Sequence, residues 1–460
     1  MVHRPGASWA IQAEEGKADR VLLELERRGI AFDLVQRLDS LSNLLSRDVL
    51  LVWRDEDVED LELYVPGVIK AEGGIDLVYN LLPPITPDQL LALGLQRIPL
   101  RVKQQLGGMR LRQQLRAPVR ADLFQELPFG TSGMTLGNPV PQGEAGEGAI
   151  EEILNMIGAR EAWRYNQGDG AVIAIMDSGV DGSVVPEYNR IGGFTDQPGG
   201  NPWADREGHG SMCARIALAV APKAQIMSLK PDTDPRGVLS ASAIYIMLDH
   251  LIGWVMETGK RVVLNMSWGV STPNMAFFPG NVLARDIAIE ADRRNMGLLC
   301  HAIGNSRHVS GDTVISAYTM ATLAQTLGVG ALGRDLRPQF YTSRGPGALF
   351  PWQPAVAAPT FGVLPWGNGF RDFGPQGGAT SSATPQVAGV LALLDTQYPD
   401  LDARTLRAAI RAGARNDILG IPGLYHPLTG SGLLRADRAL EIGPRARQHP
   451  SYVLEGAWQW

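Results

Sequence analysis

From residue 171 onward, short and uniformly apolar runs alternate with longer amphipathic ones, and this alternation restricts the fold more than any other feature of the chain. Ala171–Met176, Ile226–Leu229, Val262–Met266, Gly297–Ile303 and Leu327–Ala331 have the pattern of strands covered on both faces of a parallel sheet. Between them Gly210–Ala219, Ser240–Glu257 and Val282–Arg294 carry a helical period, and Ser381–Gln397 and Ala403–Ala414 continue it. The order predicts an α/β domain built on a doubly wound, mostly parallel sheet with helices on both faces. In such a sheet functional groups collect at the carboxyl ends of the strands.

A chain of 460 residues exceeds the size at which one core stops growing, so a large domain with an appended one is expected. Residues 128–148 are rich in Gly and Pro with little apolar periodicity, and are read as a linker. Residues 149–445 then form the main domain, 446–460 a C-terminal tail and 1–127 a small N-terminal α/β or α-rich unit. That unit shows a helical period over 16–28, a strand-like run Asp48–Trp53 and helical segments over Gln89–Arg116. The Arg-rich part of the last segment reads as a solvated face.

A net charge of −6 supplies no basic field, so neither nucleic acid nor an anionic lipid surface is expected as a partner. The most apolar stretch, Ala241–Met256, is broken by Asp249 and His250 and falls short of the roughly 20 residues a membrane span needs. The N-terminus lacks the basic start and apolar run of a secretory signal. The expected location is cytoplasmic, or reached by export without a standard signal peptide. Cys213 and Cys300 lie in apolar surroundings and are expected to be core thiols rather than a disulfide. No metal-ligand spacing is visible.

Three positions carry chemistry. Asp177 closes the first strand-like run ahead of Ser178-Gly179, and a carboxylate emerging from a buried strand needs a partner. His209 stands between Gly208 and Gly210 at the start of a helical run, where glycines allow close backbone approach. Ser381 enters the helix that runs on through Val387, Val390 and Leu393, where unpaired N–H groups favour developing negative charge. Taken singly, each also fits a bland role: a turn-capping Asp, a surface His, an N-cap Ser. Their chain order Asp, His, Ser is that of one known type of triad.

Residues 149 to about 440 resemble the subtilisin-like serine peptidases. The resemblance is carried by Ile157-Gly158-Ala159-Arg160-Glu161-Ala162-Trp163, Asp177-Ser178-Gly179, Gly208-His209-Gly210-Ser211, Asn265-Met266-Ser267-Trp268-Gly269, Ala302-Ile303-Gly304-Asn305 and Thr380-Ser381-Ser382-Ala383-Thr384-Pro385, in the family's order. It implies a serine endopeptidase acting through an acyl-enzyme on protein or peptide substrates. Asp177 would orient His209, His209 would activate Ser381, and Asn305 would donate to the oxyanion. Ser267, Trp268 and Gly269, with Ala302 and Gly304, would line the substrate site, Trp268 either shaping the primary pocket or packing as a core tryptophan under the strand. A catalytically silent scaffold that binds a partner, or a ligase or cyclase using the same triad, are the alternative readings.

The resemblance implies no required cofactor. Relatives often bind calcium for stability, but the loop carboxylates here are not assignable to such a site. Many relatives also carry an inhibitory prodomain, so residues 1–127 are either prodomain-like or a retained accessory or docking domain for a regulatory protein. Three positions depart from the family pattern: Ala379 stands where Gly is usual, Met212 where a second His is common, and Arg215 where a small residue packs. Arg215 is expected to meet a carboxylate or an exposed patch, and Ala379 to disturb the backbone near the nucleophile. The register of Ala383-Thr384-Pro385 selects Ser381 over Ser382.

Overall fold

The computed structural model describes residues 7–28, 33–54, 68–73, 138–139, 148–231, 241–268, 281–305, 307, 320–347, 350–417 and 425–457. The strands are β1 (Ala7–Glu14), β2 (Asp33–Arg37), β3 (Arg47–Arg54), β4 (Val68–Gly73), β5 (Asn138–Pro139), β6 (Val172–Met176), β7 (Arg190–Thr195), β8 (Gln225–Lys230), β9 (Val262–Met266), β10 (Gly297–Ala302), β11 (Thr326–Leu332), β12 (Val356–Pro359), β13 (Val363–Trp366) and β14 (Gly369–Asp372). The helices are α1 (Ala18–Arg27), α2 (Asp39–Leu45), α3 (Gly148–Met156), α4 (Ala159–Ala162), α5 (His209–Val220), α6 (Ala241–Thr258), α7 (Asn281–Arg293), α8 (Ala379–Gln397), α9 (Ala403–Gly413), α10 (Ala436–Ile442) and α11 (Pro450–Ala457).

The main sheet has seven strands in the order β12-β11-β10-β9-β6-β8-β7. All of its pairings are parallel. Side chains alternate across a strand, and β6 uses both faces. Ile173 and Ile175 join a core with α5, α8 and α9, whereas Val172, Ala174 and Met176 join one with α6 and α7. Such double burial explains why these strands read as continuous apolar runs. The chain leaves β6 towards β8 and β7 and later returns on its other side with β9. The crevice where the order reverses therefore opens at the ends of β6 and β9.

Helices α5 and α8 run side by side in the same sense. Cys213 meets Ser381 near their starts, and Val220 meets Gly389 further along. A Cβ built on Gly389 would stand 2.5 Å from Val220 Cβ and 3.0 Å from the Ala217 carbonyl. Only a glycine allows this approach.

The N-terminal residues form a four-stranded antiparallel sheet, β2-β3-β1-β4, with α1 and α2. Helix α2 seats Leu41, Leu44 and Leu45 in the same apolar cluster as Leu251 and Val255 of α6. The Leu41 N–H donates to Asp249 at 2.8 Å, and Arg294 donates to the Leu44 carbonyl at 2.7 Å. The two polar residues that interrupt the run of α6 are thus occupied: Asp249 holds the start of α2, and His250 stacks on Phe194 with ring centroids 4.0 Å apart. Among the described residues no helix is long and apolar enough to cross a membrane.

The segment read as a tail from residue 446 includes α11, which is anchored in the protein interior by Ser451 and Glu455. Glu455 of α11 is fully buried and accepts from Arg407 Nε at 2.7 Å and Arg411 Nη1 at 3.0 Å. The Gln89–Arg116 segments, and the linker apart from residues 138–139 and 148, lie outside the described residues.

Candidate active site

Asp177 directly follows β6 and is completely buried. Its Oδ1 accepts from the Ser178 N–H at 2.8 Å and lies 2.8 Å from His209 Nδ1. His209 opens α5, and both its flanking glycines are required. Gly208 has φ +85°, and a Cβ on Gly210 would fall 2.0 Å from the Gly179 carbonyl oxygen. With Nδ1 donating to Asp177, Nε2 carries the lone pair. That atom is buried and has no hydrogen-bond partner among the described residues.

Burial opposes protonation of the imidazole. The Asp177 carboxylate and its hydrogen bond, with Asp205 and Glu207 behind them, outweigh burial and hold His209 above its ordinary pKa near 6.5. Glu207 is itself held above the usual carboxylate range, first by burial and then by Asp177.

Asp205 escaped the sequence reading, yet it joins the two loops. Its Oδ2 accepts from the Ser211 N–H at 2.9 Å and Ser211 Oγ at 2.7 Å. Its Oδ1 accepts from Ser178 Oγ at 2.9 Å and the Gly208 N–H at 2.8 Å. Ser178 Oγ in turn accepts from the Gly210 N–H at 3.0 Å. The opening N–H groups of α5 are thereby satisfied from the Asp177 side. The only signal was an Asp four residues ahead of His209, which alone is an ordinary loop residue.

Ser381 lies in the first turn of α8, and its Oγ donates to the Ser267 carbonyl at 2.8 Å rather than to His209. Pro385 explains how the Ser381 backbone is held. Proline has no N–H, so the Ser381 carbonyl four residues earlier loses its helical donor. It accepts instead from Ser267 Oγ at 3.0 Å and faces Cys213 Sγ at 3.7 Å. Cys213 is free and buried as expected, but it packs beneath the site, 3.9 Å from Asp177 Oδ2. Asp177, His209 and Cys213 form a tight cluster, with candidate ligand atoms all within 4.8 Å of one another. Ser382 is also buried, and its Oγ donates back to the Ala379 carbonyl at 3.1 Å.

Asn305 follows β10 and Gly304. Its Oδ1 accepts from the Thr380 N–H at 3.0 Å and Thr380 Oγ1 at 2.9 Å, which fixes which end of the amide carries the oxygen and which the NH2.

Several substrate-site expectations are revised. Trp268 is buried behind the sheet, where its indole N–H donates to the Met176 carbonyl at 2.7 Å, so it is held as a core residue. Ser267 is buried and braces Ser381. Ala302 and Gly304 sit at the carboxyl end of β10, and Gly269 lies outside the described residues. Arg215 meets no carboxylate among the described residues: its guanidinium, half-buried, donates to the Gly367 and Gly369 carbonyls. Met212 fills the core. Ala379 absorbs its strain in place, adopting φ +65° as a glycine would.

A model of the subtilase family matches residues 168–434, more than half of the chain, and the chain belongs to that family. It is 28% identical over 284 residues to subtilisin E of Bacillus subtilis, covering 60% of this chain and 66% of that one. Mycosin-4 of Mycobacterium tuberculosis is 26% identical over 325 residues, covering 63% of this chain and 69% of its own. A calcium-dependent protease of Nostoc sp. is 25% identical over 347 residues; the match covers 64% of this chain but only 49% of that relative. Among solved structures, the MycP3 protease from the type VII (ESX-3) secretion system superposes with a TM-score of 0.51 at 22% identity, covering 70% of this chain and 99% of that one. A lanthipeptide protease gives 0.51 at 22% identity, covering 67% and 99%. Both support the fold.

Two outcomes follow from the strain at Ala379 and the charges around His209. Ala379→Gly should raise stability by about 0.5–1 kcal/mol in denaturant melts, since a left-handed Ala costs roughly 1–2 kcal/mol and the added chain entropy offsets part of the relief. A destabilised variant would show that the Ala379 methyl is needed for packing. Activity through a neutral His209 falls as pH drops through its raised pKa, so the acid limb should lie above 6.5. Glu207→Gln removes one charge that raises it and should move that limb down by a few tenths of a pH unit. An upward shift in kcat/KM profiles would overturn this account.

Proposed function

We propose that the chain is a serine endopeptidase in which Asp177, His209 and Ser381 act as the triad and Asn305 as the side-chain donor to the oxyanion. The observation that carries this reading is the buried Asp177–His209 pair, 2.8 Å apart, packed through Cys213 against the Ser381 backbone. A buried imidazole nitrogen without a hydrogen-bond partner among the described residues is unfavourable, and in the proposed reaction the Ser381 hydroxyl leaves the Ser267 carbonyl to serve as that partner.

In the proposed reaction the Ser381 hydroxyl proton passes to Nε2 as Oγ bonds to the substrate carbonyl carbon. The new imidazolium is stabilised by Asp177 and then gives that proton to the leaving amine as the C–N bond breaks. The Asn305 NH2 and the Ser381 N–H, in a helix first turn, oppose the oxyanion charge. Water, deprotonated by the same nitrogen, releases the acyl group.

The Nostoc relative and a second one, of Trichormus variabilis, are named for calcium dependence. Among the described residues, the only group of three or more such side chains close enough to share an ion is Asp177, His209 and Cys213. One carboxylate, an imidazole and a thiol do not suit calcium, which takes six to eight oxygen ligands. No step is assigned to a metal. The seating of α2 on α6 and α7 supports a regulatory or inhibitory role for the N-terminal unit within the same protein.

A fluorophosphonate probe should label the intact protein at Ser381. Ser381→Ala should abolish labelling and peptide hydrolysis, while Ser382→Ala keeps labelling. Asn305→Ala should lose about 100- to 1000-fold in kcat, the range known for the comparable donor of subtilisin. An unlabelled wild type identifies a silent scaffold, and ligated rather than hydrolysed products identify acyl transfer to an amine. Sequencing fragments of the incubated protein tests the N-terminal unit: cleavage within 128–148 marks it as removable.

A further inference from the structure

The hairpin β13–β14 is fastened to α5 at two places. The Gly367 N–H donates to the Gly208 carbonyl at 3.0 Å, just ahead of His209. Six residues further along α5, Arg215 Nη1 donates to the Gly367 carbonyl at 3.1 Å and the Gly369 carbonyl at 2.5 Å. The guanidinium also lies over Phe370, 4.5 Å from the ring centroid. Between these anchors Trp366 stands edge-on to the His209 ring, with centroids 5.8 Å apart and planes at 77°. Its indole closes on the backbone so tightly that a Cβ on Gly208 would lie 2.8 Å from Trp366 Nε1. Arg371 covers another part of the Trp366 ring at 4.7 Å.

Arg215 has no ion-pair partner among the described residues, and burial lowers its affinity for its proton. A half-buried cation held by carbonyls and one aromatic face, with no ion-pair partner among the described residues, is an unfavourable choice for simple packing, where an alkyl side chain would serve. What guanidinium offers is a planar Nη1 whose two hydrogens point in fixed directions, here to two carbonyls of one turn. Holding that turn fixes where Trp366 stands.

We infer that Arg215 and Trp366 are positioning residues for His209: Arg215 locks the hairpin turn, and the Trp366 indole buttresses the imidazole in the orientation that keeps Nδ1 on Asp177 and Nε2 towards Ser381. This rests on the proposed triad. An imidazole displaced by about 1 Å costs up to about 100-fold in rate without altering substrate contacts.

The test uses the full chain with Arg215→Met, which keeps the alkyl packing on Phe370 but removes the donors, together with Arg215→Lys, Trp366→Phe, Trp366→Ala and the double variant Arg215→Met/Trp366→Ala. Fluorophosphonate inactivation rates, kcat and KM on a short peptide substrate, and thermal melting are measured for each. Arg215→Met and Trp366→Ala should each lower kcat and the inactivation rate about tenfold or more, with KM within about twofold. Arg215→Lys and Trp366→Phe should restore part of the loss. The double variant should be no slower than the slower single one, because both act along one path. Unchanged rates, a loss confined to KM or to melting temperature, or additive losses would overturn the inference. An unlabelled wild type would instead overturn the triad on which it rests.

Discussion

The close parallel contact of α5 and α8 is the constraint on which the site depends. Each helix begins where a strand-end loop enters the crevice, so two helices packed in register deliver their first turns to one place. Gly389 against Val220 sets the separation. That separation brings Cys213 of one helix to the Ser381 carbonyl of the other. A bulkier contact further along would part the two starts, and with them His209 and Ser381. The proline in α8 works in the same direction. By removing one helical donor it turns the Ser381 carbonyl outward to Ser267, tying the first turn of α8 to the end of β9 as well as to α5.

A buried carboxylate is tolerable only if its surroundings supply hydrogen bonds and an opposite charge. Asp177 receives an N–H from Ser178 and the imidazole of His209, while Asp205 gathers the neighbouring N–H and O–H groups. The same arrangement does two jobs. It gives the buried carboxylate its hydrogen-bond donors, and it raises the affinity of His209 for a proton, as the proposed role of that imidazole requires.

The parts of this fold that could be read from sequence are those buried on both sides. β6, β9 and β11 are buried throughout and mostly apolar, and their predicted and observed limits agree within a residue. β7 could not be read, because it is an edge strand with a Gly pair at its centre and a partly exposed face. β12 and the β13–β14 hairpin are four residues long per strand and carry Ala, Pro and Gly, which leave no period to detect. Asp177, His209, Ser381 and Asn305 were marked by their neighbours in sequence, since glycines and helix starts leave local traces. Asp205 and Trp366 make contacts across loops that composition and spacing do not single out, and Thr380 was visible only as a member of the Ser381 motif, without its bond to Asn305. The sequence left Trp268 between two readings for the complementary reason: its place beside Ser267 says nothing about which side of the sheet the indole occupies, and its bond to the Met176 carbonyl favours the core.

The entry to α8 shows how such a chain tolerates a departure from its family pattern. Gly377 at φ +74° is pressed so closely on Thr360 that a Cβ would lie 2.0 Å from the Thr360 carbonyl oxygen. The backbone arrives at residue 379 with its direction already set, and Ala379 takes the left-handed conformation because the turn leaves it no alternative. Thr380 is then aimed at Asn305, giving it both an N–H and an O–H. The strain of one methyl group is therefore held by contacts on either side of it, and what it holds is the relation between the serine's helix and the amide proposed to face the oxyanion.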